Sequence, residues 1–147
     1  MIKYIKGDLL TTDASVIVHG CNCQGVMGSG VAKQIKEKYP VVYERYMMVY
    51  KKYPDLLGKI QIVNISENLK IVNCFTQEFY GKDGTRFIDY YAIQSCMRKL
   101  GHFCKVTNIN KIAMPKIGCG LGGGNWNKVE DIIKHELRST NVLVYEL

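Results

Sequence analysis

Short apolar runs alternate along this chain with longer stretches in which apolar residues recur every three or four positions. The short runs are bounded by polar or glycine-containing segments, which is typical of buried strands. The fifth run contains Pro115 near its end. We predict strands at residues 2–5, 15–18, 60–65, 70–75, 111–117 and 142–146.

The stretches between these runs have the periodicity of amphipathic helices. Val31, Ile35 and Tyr39 are four residues apart, and Pro40 then interrupts the pattern, which indicates that one helix ends there and a second begins. Two later stretches show the same spacing of three or four residues. We predict helices over residues 29–39, 41–52, 86–104 and 125–138.

Because strands and helices alternate from one end to the other, we predict a layered α/β domain with a mainly parallel or mixed sheet. The 147 residues contain no repeat or linker, so we expect a single domain over 1–147. No stretch approaches the ~18 apolar residues of a membrane span, and the amino terminus lacks the apolar region of a signal peptide. We therefore expect an intracellular, cytoplasmic protein with no membrane partner.

Charge and cysteine content narrow the expected ligand and compartment. The net charge is +7, from 20 Lys and Arg against 13 Asp and Glu. That balance suits a nucleotide, a phosphate or a nucleic acid, although a solvated basic surface would give the same count. The six cysteines include no CxxC pair, so we predict free thiols in a reducing compartment.

Two glycine-rich segments lie between a predicted strand and a predicted helix. The first covers residues 21–30 (CNCQGVMGSG) and the second covers 118–124 (GCGLGGG). Glycine allows positive φ and close approach of a ligand to bare amides, and a helix N-terminus adds unpaired N–H groups. The pair therefore predicts a phosphate or diphosphate cradle, with tight packing as the alternative use of the glycines. Neither segment contains GxxxxGK[ST], and Gly28-Ser29-Gly30 does not continue as GxGxxG.

The order of motifs along the chain resembles that of the macrodomains, the α/β/α proteins that bind ADP-ribose. The resemblance is carried by five motifs, KGDLL at 6–10, HGCNCQG at 19–25, MGSGVA at 27–32, MPKIGCGLGG at 114–123 and VYEL at 144–147. It spans almost the full length of the chain. It implies a three-layer α/β/α macrodomain with a central mixed sheet of about six strands.

Within the macrodomains, the chain is most similar to the fungal and phage-type ADP-ribose 1″-phosphate phosphatases. It shares with them the HxCNCxG start, the break at Tyr39-Pro40, the turn at 57–59 and the FTxxFxG segment at 75–81. It also resembles ADP-ribosyl glycohydrolases in the first loop and in GCGL. That branch has a lysine where this chain has Gln77, and its protein-directed members add an aspartate where this chain has Gly122. Neither Gln77 nor Gly122 can form a Schiff base or act as a general base.

The resemblance implies roles for individual residues. Asp8 would accept from the adenine amino group, with turn capping as the alternative. Tyr145 would stack on adenine beside Leu147, or it is simply packed. Amides of 28–31 would hold one part of the diphosphate, and 118–122 would enclose the other phosphate and the distal ribose. The expected ADP-ribose-binding residues are Asp8, Leu9, Asn22, Gly28, Ser29, Gly30, Val31, Ile117, Gly118, Cys119, Gly120, Leu121, Gly122, Tyr145 and Leu147.

His19 and Asn22 are the candidates for catalysis. Imidazole titrates near neutral pH, so His19 could activate water or protonate a leaving oxygen, and a structural histidine is the alternative. Asn22 has both a donor and acceptors for ribose hydroxyls or a 1″-phosphate, unless it bonds only its own backbone. We expect no metal and no cofactor, because the aspartates are scattered without a linking motif. The predicted nucleophile is a positioned water, with Cys119 as the alternative.

These observations leave several functions open. The first is hydrolysis of ADP-ribose 1″-phosphate to ADP-ribose and phosphate. The others are a non-catalytic ADP-ribose-binding module, a glycohydrolase acting on modified protein or DNA, and a nucleic-acid-binding protein that relies on the positive charge. We expect ADP-ribose or its 1″-phosphate as the partner, nucleic acid only as an ADP-ribosylated substrate, and a monomer.

Overall fold

The described part of the chain, residues 1–79, 88–119 and 123–147 of a computed structural model, folds around a six-stranded sheet. Its strands are β1 (Ile2–Lys6), β2 (Val16–Asn22), β3 (Ile60–Ser66), β4 (Leu69–Gln77), β5 (Lys111–Met114) and β6 (Asn141–Glu146). Its helices are α1 (Gly30–Lys38), α2 (Pro40–Lys52), α3 (Tyr90–Thr107) and α4 (Trp126–Glu136), with a 3-10 turn at Leu9–Thr11. None of these helices is long and apolar enough to span a lipid bilayer.

The strand order across the sheet is β1-β6-β5-β2-β4-β3. The first five strands in that order are mutually parallel, and β3 pairs antiparallel with β4. The sheet is therefore mixed, because the short connection between β3 and β4 can only form a hairpin, whereas the connections from β2 to β3, from β4 to β5 and from β5 to β6 contain helices. This confirms the mixed six-stranded sheet that the sequence predicts.

Helices cover both faces of the sheet, which gives three layers. Successive side chains of β2 point to opposite faces: Val16 and Val18 pack with α3 and α4, whereas Ile17 and Cys21 pack with α1 and α2. A parallel sheet enclosed on both faces needs continuous apolar strands, which is why the apolar runs in the sequence predict these strands so well.

Two element boundaries differ from the sequence prediction. β5 ends at Met114 rather than at residue 117, because Pro115 has no N–H for the strand ladder. α3 begins at Tyr90 rather than at residue 86, with the Asp89 side chain accepting from the backbone N–H of Ala92 at its start. The prediction placed residues 86 and 87 in this helix, and these two residues lie outside the described part of the chain.

The connections that leave β2 and β5 go to opposite faces of the sheet. β2 leads into α1 and α2 on one face, and β5 leads into α4 on the other. The two strands are neighbours, paired at Ile17 and Ala113. In open α/β sheets a reversal of this kind opens a crevice beyond the carboxyl ends of the two strands, where ligands bind. The topology thus places a candidate site before any side chain is considered.

Candidate functional site

The predicted binding residues with a described position lie at one edge of the sheet. β1, β6, β5 and β2 are parallel neighbours, so their carboxyl ends follow one another along that edge. The backbone N–H of Gly7 donates to the Glu146 carbonyl at 2.7 Å and fastens the first two ends together. In edge order the predicted residues are Asp8 and Leu9 after β1, Tyr145 and Leu147 at β6, Ile117 to Cys119 after β5, and Asn22 and Gly28 to Val31 after β2.

The N-terminus of α1 presents a row of open backbone amides. Its cap residue, Ser29, has an extended backbone and makes no capping hydrogen bond through its side chain. The first bond of the helix runs from Lys33 N–H to the Ser29 carbonyl at 3.3 Å. The N–H groups of Gly30, Val31 and Ala32 therefore have no partner among the described residues, and an anion can take them. Gly30 has φ of +60°, so a β-branched residue would be strained there.

The second glycine segment closes on itself instead of leaving its helix open. The N–H of Gly124 donates to the Gly118 carbonyl at 2.7 Å. Gly118 has φ of +77°, and a Cβ added to it would lie 1.6 Å from the Ile88 Cδ1 atom. The next helix, α4, is already capped, because the Asn125 side chain accepts from the N–H of Asn127 at 2.9 Å. The remaining predicted residues of this segment, Gly120, Leu121 and Gly122, lie outside the described part of the chain.

Asn22 ends β2 and organises the loop that follows. A bulge in the neighbouring strand pairs Asn22 with Gln77 and leaves Thr76 as the extra residue, and bulges commonly redirect side chains in this way. The Asn22 side-chain amide donates to the Val26 carbonyl at 2.8 Å, and its Oδ1 accepts from the Gln24 N–H at 3.0 Å. These bonds leave one side-chain N–H of Asn22 with no partner among the described residues.

His19 is enclosed in the sheet rather than presented to the crevice. It is 1% exposed, and its Nε2 lies 2.5 Å from the Oδ1 of Asn73, its neighbour on β4. Because Asn73 donates its own amide to Gln61 at 3.0 Å, we assign the donated proton to His19 Nε2. Burial lowers the pKa of His19 from 6.5 to about 4, against the opposing effect of the Asn73 bond. The ring is therefore neutral at physiological pH.

The residues expected around adenine lie at the β1 and β6 end of the edge. Asp8 is exposed, and one of its carboxylate oxygens accepts from the Leu10 N–H at 2.9 Å. No other described residue donates to this carboxylate, so its second oxygen can receive a ligand. Tyr145 is half-buried, with its hydroxyl donating to Thr12 at 2.8 Å. Leu9 is buried beneath the turn, whereas Leu147 is 87% exposed.

The thiols near the crevice are held in their protonated form. Burial, together with a smaller effect of nearby Glu78, raises the pKa of Cys23 to about 12. Burial also raises the pKa of Cys119, against a smaller opposing effect of Lys116. Thiolate is the nucleophilic form of cysteine, so this environment disfavours attack by Cys119. The described residues contain no group of three or more His, Cys, Asp or Glu side chains arranged to hold a metal ion.

Two residues that support the site were not singled out in the sequence. Tyr46 is buried in α2 and hydrogen-bonds to the loop after β2. Its spacing from Tyr43 and Tyr50 on one helical face is a signal that could have identified it. Ile88 fills the space beside Gly118 and Gly124, and no local pattern marks it, because its role depends on a segment distant in sequence.

The three-layer fold around a mixed six-stranded sheet is that of a macrodomain. The chain matches the model of the Macro domain family over residues 18–133, and it belongs to that family. This confirms the family resemblance and the fold class that the sequence motifs imply.

Individual relatives differ in the function their names describe. The chain is 32% identical to an ADP-ribose 1″-phosphate phosphatase of Candida glabrata, covering 99% of this chain and 98% of that protein. It is 33% identical to a DNA ADP-ribosyl glycohydrolase of Mycobacterium tuberculosis, covering 88% of this chain but 37% of that protein. A solved structure of a protein of unknown function from Bacteroides thetaiotaomicron superimposes with a TM-score of 0.91, at 35% identity, covering 100% of this chain and 98% of the other.

Proposed function

We propose that this protein binds ADP-ribose in the crevice between β2 and β5 and hydrolyses ADP-ribose 1″-phosphate to ADP-ribose and phosphate. The observation that carries the proposal is the open N-terminus of α1 at that crevice, where the N–H groups of Gly30, Val31 and Ala32 have no partner among the described residues. The full-length similarity to a protein named as such a phosphatase supports this choice of substrate.

The ligand follows the order of the strand ends. The adenine lies at the β1 and β6 end, where the free oxygen of Asp8 accepts from its amino group and Tyr145 offers an aromatic face. The diphosphate lies at the α1 N-terminus, whose partial positive charge and bare amides stabilise it. Gly118 and Cys119 follow β5 on the other side of the crevice, and Asn22 reaches the distal ribose with its remaining N–H.

The chemical step is the attack of water on the 1″-phosphorus. A water oxygen forms a new bond to phosphorus, the bond from phosphorus to the C1″ oxygen breaks, and that oxygen takes up a proton to give ADP-ribose and inorganic phosphate. Amide donors aimed at the phosphate stabilise the charge of the transition state. We propose that His19 is a structural residue in this reaction rather than an acid or base, because it is neutral, 1% exposed and bonded to Asn73.

The sharpest test changes the backbone at Gly30 without adding a clash. A Cβ at Gly30 would meet no atom within 4 Å, so the expected effect of a β-branched residue there is strain from the positive φ. Gly30→Val should shift the amide row and weaken ADP-ribose binding at least tenfold by calorimetry. Gly30→Asn, whose side chain tolerates a left-handed backbone, is the matched control and should stay within about threefold of wild type.

Phosphate release from ADP-ribose 1″-phosphate then separates an enzyme from a binding module. Multiple-turnover release by wild type, lost in Gly30→Val, is the expected result. ADP-ribose binding without release would remove the phosphatase and leave a reader of ADP-ribose. Equal binding by wild type and both variants would remove the proposed anion site.

A glycohydrolase is the second candidate, because one similar protein is named DNA ADP-ribosyl glycohydrolase. The side chain of Gln77 cannot form a Schiff base, and its amide is bonded to the Phe79 carbonyl at 2.6 Å. We therefore place this activity second. Release of ADP-ribose from ADP-ribosylated DNA, measured beside phosphate release, decides between the two.

The six cysteines are all free thiols, which supports our proposal of a reducing, cytoplasmic location.

A further inference from the structure

One face of α2 packs against the loop that follows Asn22. Tyr43, Tyr46 and Tyr50 have the spacing that places residues on one side of a helix. The Tyr50 ring lies so close to Gly25 that an added Cβ would be 2.8 Å from it. The hydroxyl of Tyr43 donates to the Gly25 carbonyl at 3.5 Å. Tyrosine side chains of α2 therefore contact this loop.

Tyr46 makes the most extensive of these contacts. Its ring is fully buried and stacks on Phe75, with centroids 5.8 Å apart and planes 15° apart. Its hydroxyl accepts from the Val26 N–H at 3.0 Å and lies within donating distance of two atoms of Asn22, the carbonyl oxygen at 2.9 Å and Oδ1 at 2.8 Å. Burial raises the pKa of this hydroxyl, so it keeps the proton that it donates.

The Tyr46 hydroxyl connects the start of the loop, at Asn22, with Val26. Asn22 ends β2, and Val26 lies in the middle of the loop, four residues before α1 begins at Gly30. The Asn22 Oδ1 accepts from Gln24 as well as from Tyr46, and its amide is bonded to the Val26 carbonyl. The direction of the remaining Asn22 N–H is therefore fixed by a network in which the tyrosine hydroxyl is the buried anchor.

We infer that Tyr46 is a positioning residue, whose hydroxyl holds Asn22 in the orientation that the reaction at the distal ribose requires. The inference rests on the proposed function for its catalytic consequence. Removal of the hydroxyl leaves the Val26 N–H with only a long contact to the Asn22 Oδ1, at 3.4 Å, and leaves that Oδ1 without its bond from the tyrosine. The adenine and diphosphate contacts lie elsewhere along the edge, so turnover should suffer more than binding.

Tyr46→Phe removes the hydroxyl and keeps the ring on Phe75. The matched control is Thr140→Val. Thr140 lies just before β6, at the edge of the sheet opposite the crevice, and its buried side-chain hydroxyl hydrogen-bonds to Cys104. We expect Tyr46→Phe to lower kcat for phosphate release at least tenfold and to change the Kd for ADP-ribose less than threefold. Thr140→Val should leave both values at wild-type level, whatever it does to the melting temperature.

Hydrogen exchange provides a readout that does not depend on activity. The amide of Val26 should exchange at least tenfold faster in Tyr46→Phe, while the strand amides of β2 and β4 keep their protection. An unchanged kcat, an equal loss of kcat in Thr140→Val, or unchanged exchange at Val26 would overturn the inference. If wild type binds ADP-ribose but releases no phosphate, the proposed function fails, and the exchange rate at Val26 then decides the positioning role alone.

Discussion

Replacing His19 with glutamine should remove a large part of the pH dependence of stability. In the folded protein the imidazole is enclosed on β2 and donates to Asn73, which in turn donates to Gln61 on β3. Protonation would place a positive charge on His19 without hydration, so burial lowers the pKa of His19 from 6.5 to about 4. Glutamine offers an N–H to Asn73 but does not titrate in this range.

The size and sign of the effect follow from the two pKa values. Because the folded-state pKa of His19 is depressed, the unfolded chain binds a proton that the folded protein rejects, and stability falls as the pH drops from 6.5 towards 4. With a folded pKa of about 4, the difference in proton binding removes about 2 kcal/mol of stability at pH 5 relative to pH 8. Below the folded pKa the His19 contribution becomes constant.

Urea unfolding followed by the fluorescence of the single tryptophan measures this effect. The free energy of unfolding is determined for wild type and His19→Gln at pH 8 and pH 5, and the change with pH is compared between them. The other histidines and the carboxylates are common to both proteins and cancel in that comparison. A difference below about 0.5 kcal/mol, against the ~2 kcal/mol expected from the burial, would refute the assignment of a neutral, enclosed ring. Turnover within threefold of wild type for His19→Gln would further support a structural role.

Three other substitutions test the site. Gly118→Ala should lower stability by about 2–4 kcal/mol in urea unfolding, since its Cβ would overlap Ile88 at a positive φ, and the cost should shrink in an Ile88→Ala background. Asp8→Asn keeps an acceptor for the Leu10 N–H but should weaken ADP-ribose binding about tenfold; an equal loss for the analogue with hypoxanthine in place of adenine would contradict contact with the amino group. Cys119→Ser should keep kcat within about threefold, because burial holds its thiol protonated, and complete loss of phosphate release would instead identify a nucleophile.

The sheet could be predicted from the sequence because its strands are buried on both faces. Runs such as Val16 to Val18 are apolar without alternation, and their length separates them from helices. The start of α3 was predicted too early, since its apolar periodicity extends back to residue 87, beyond the position where Asp89 caps the helix. Periodicity shows which side of a segment is apolar, but it does not show where a helix begins. The start of α3 is decided by a single capping hydrogen bond, which the apolar pattern does not reveal.

The site could be predicted only in part, because its decisive features are contacts between distant segments. The glycines and their positions relative to strands are local, and they indicated the edge of the sheet at which the crevice lies. The enclosure of His19 depends on Asn73, which is 54 residues away, and the support of Asn22 depends on Tyr46, which is 24 residues away. A histidine at the end of a strand looks the same in sequence whether it meets water or an asparagine.

The two glycine segments show how much one hydrogen bond can change the chemistry of a loop. Both follow a strand, both contain positive-φ glycines, and each precedes a helix whose cap position holds a good capping residue, Ser29 or Asn125. Asn125 caps α4 and satisfies an amide there, which stabilises a helix by about 1 kcal/mol. Ser29 makes no such bond, so α1 forgoes that stabilisation and keeps its amides available. This difference between the two helix starts is the reason that our proposal places the diphosphate at α1 rather than at α4.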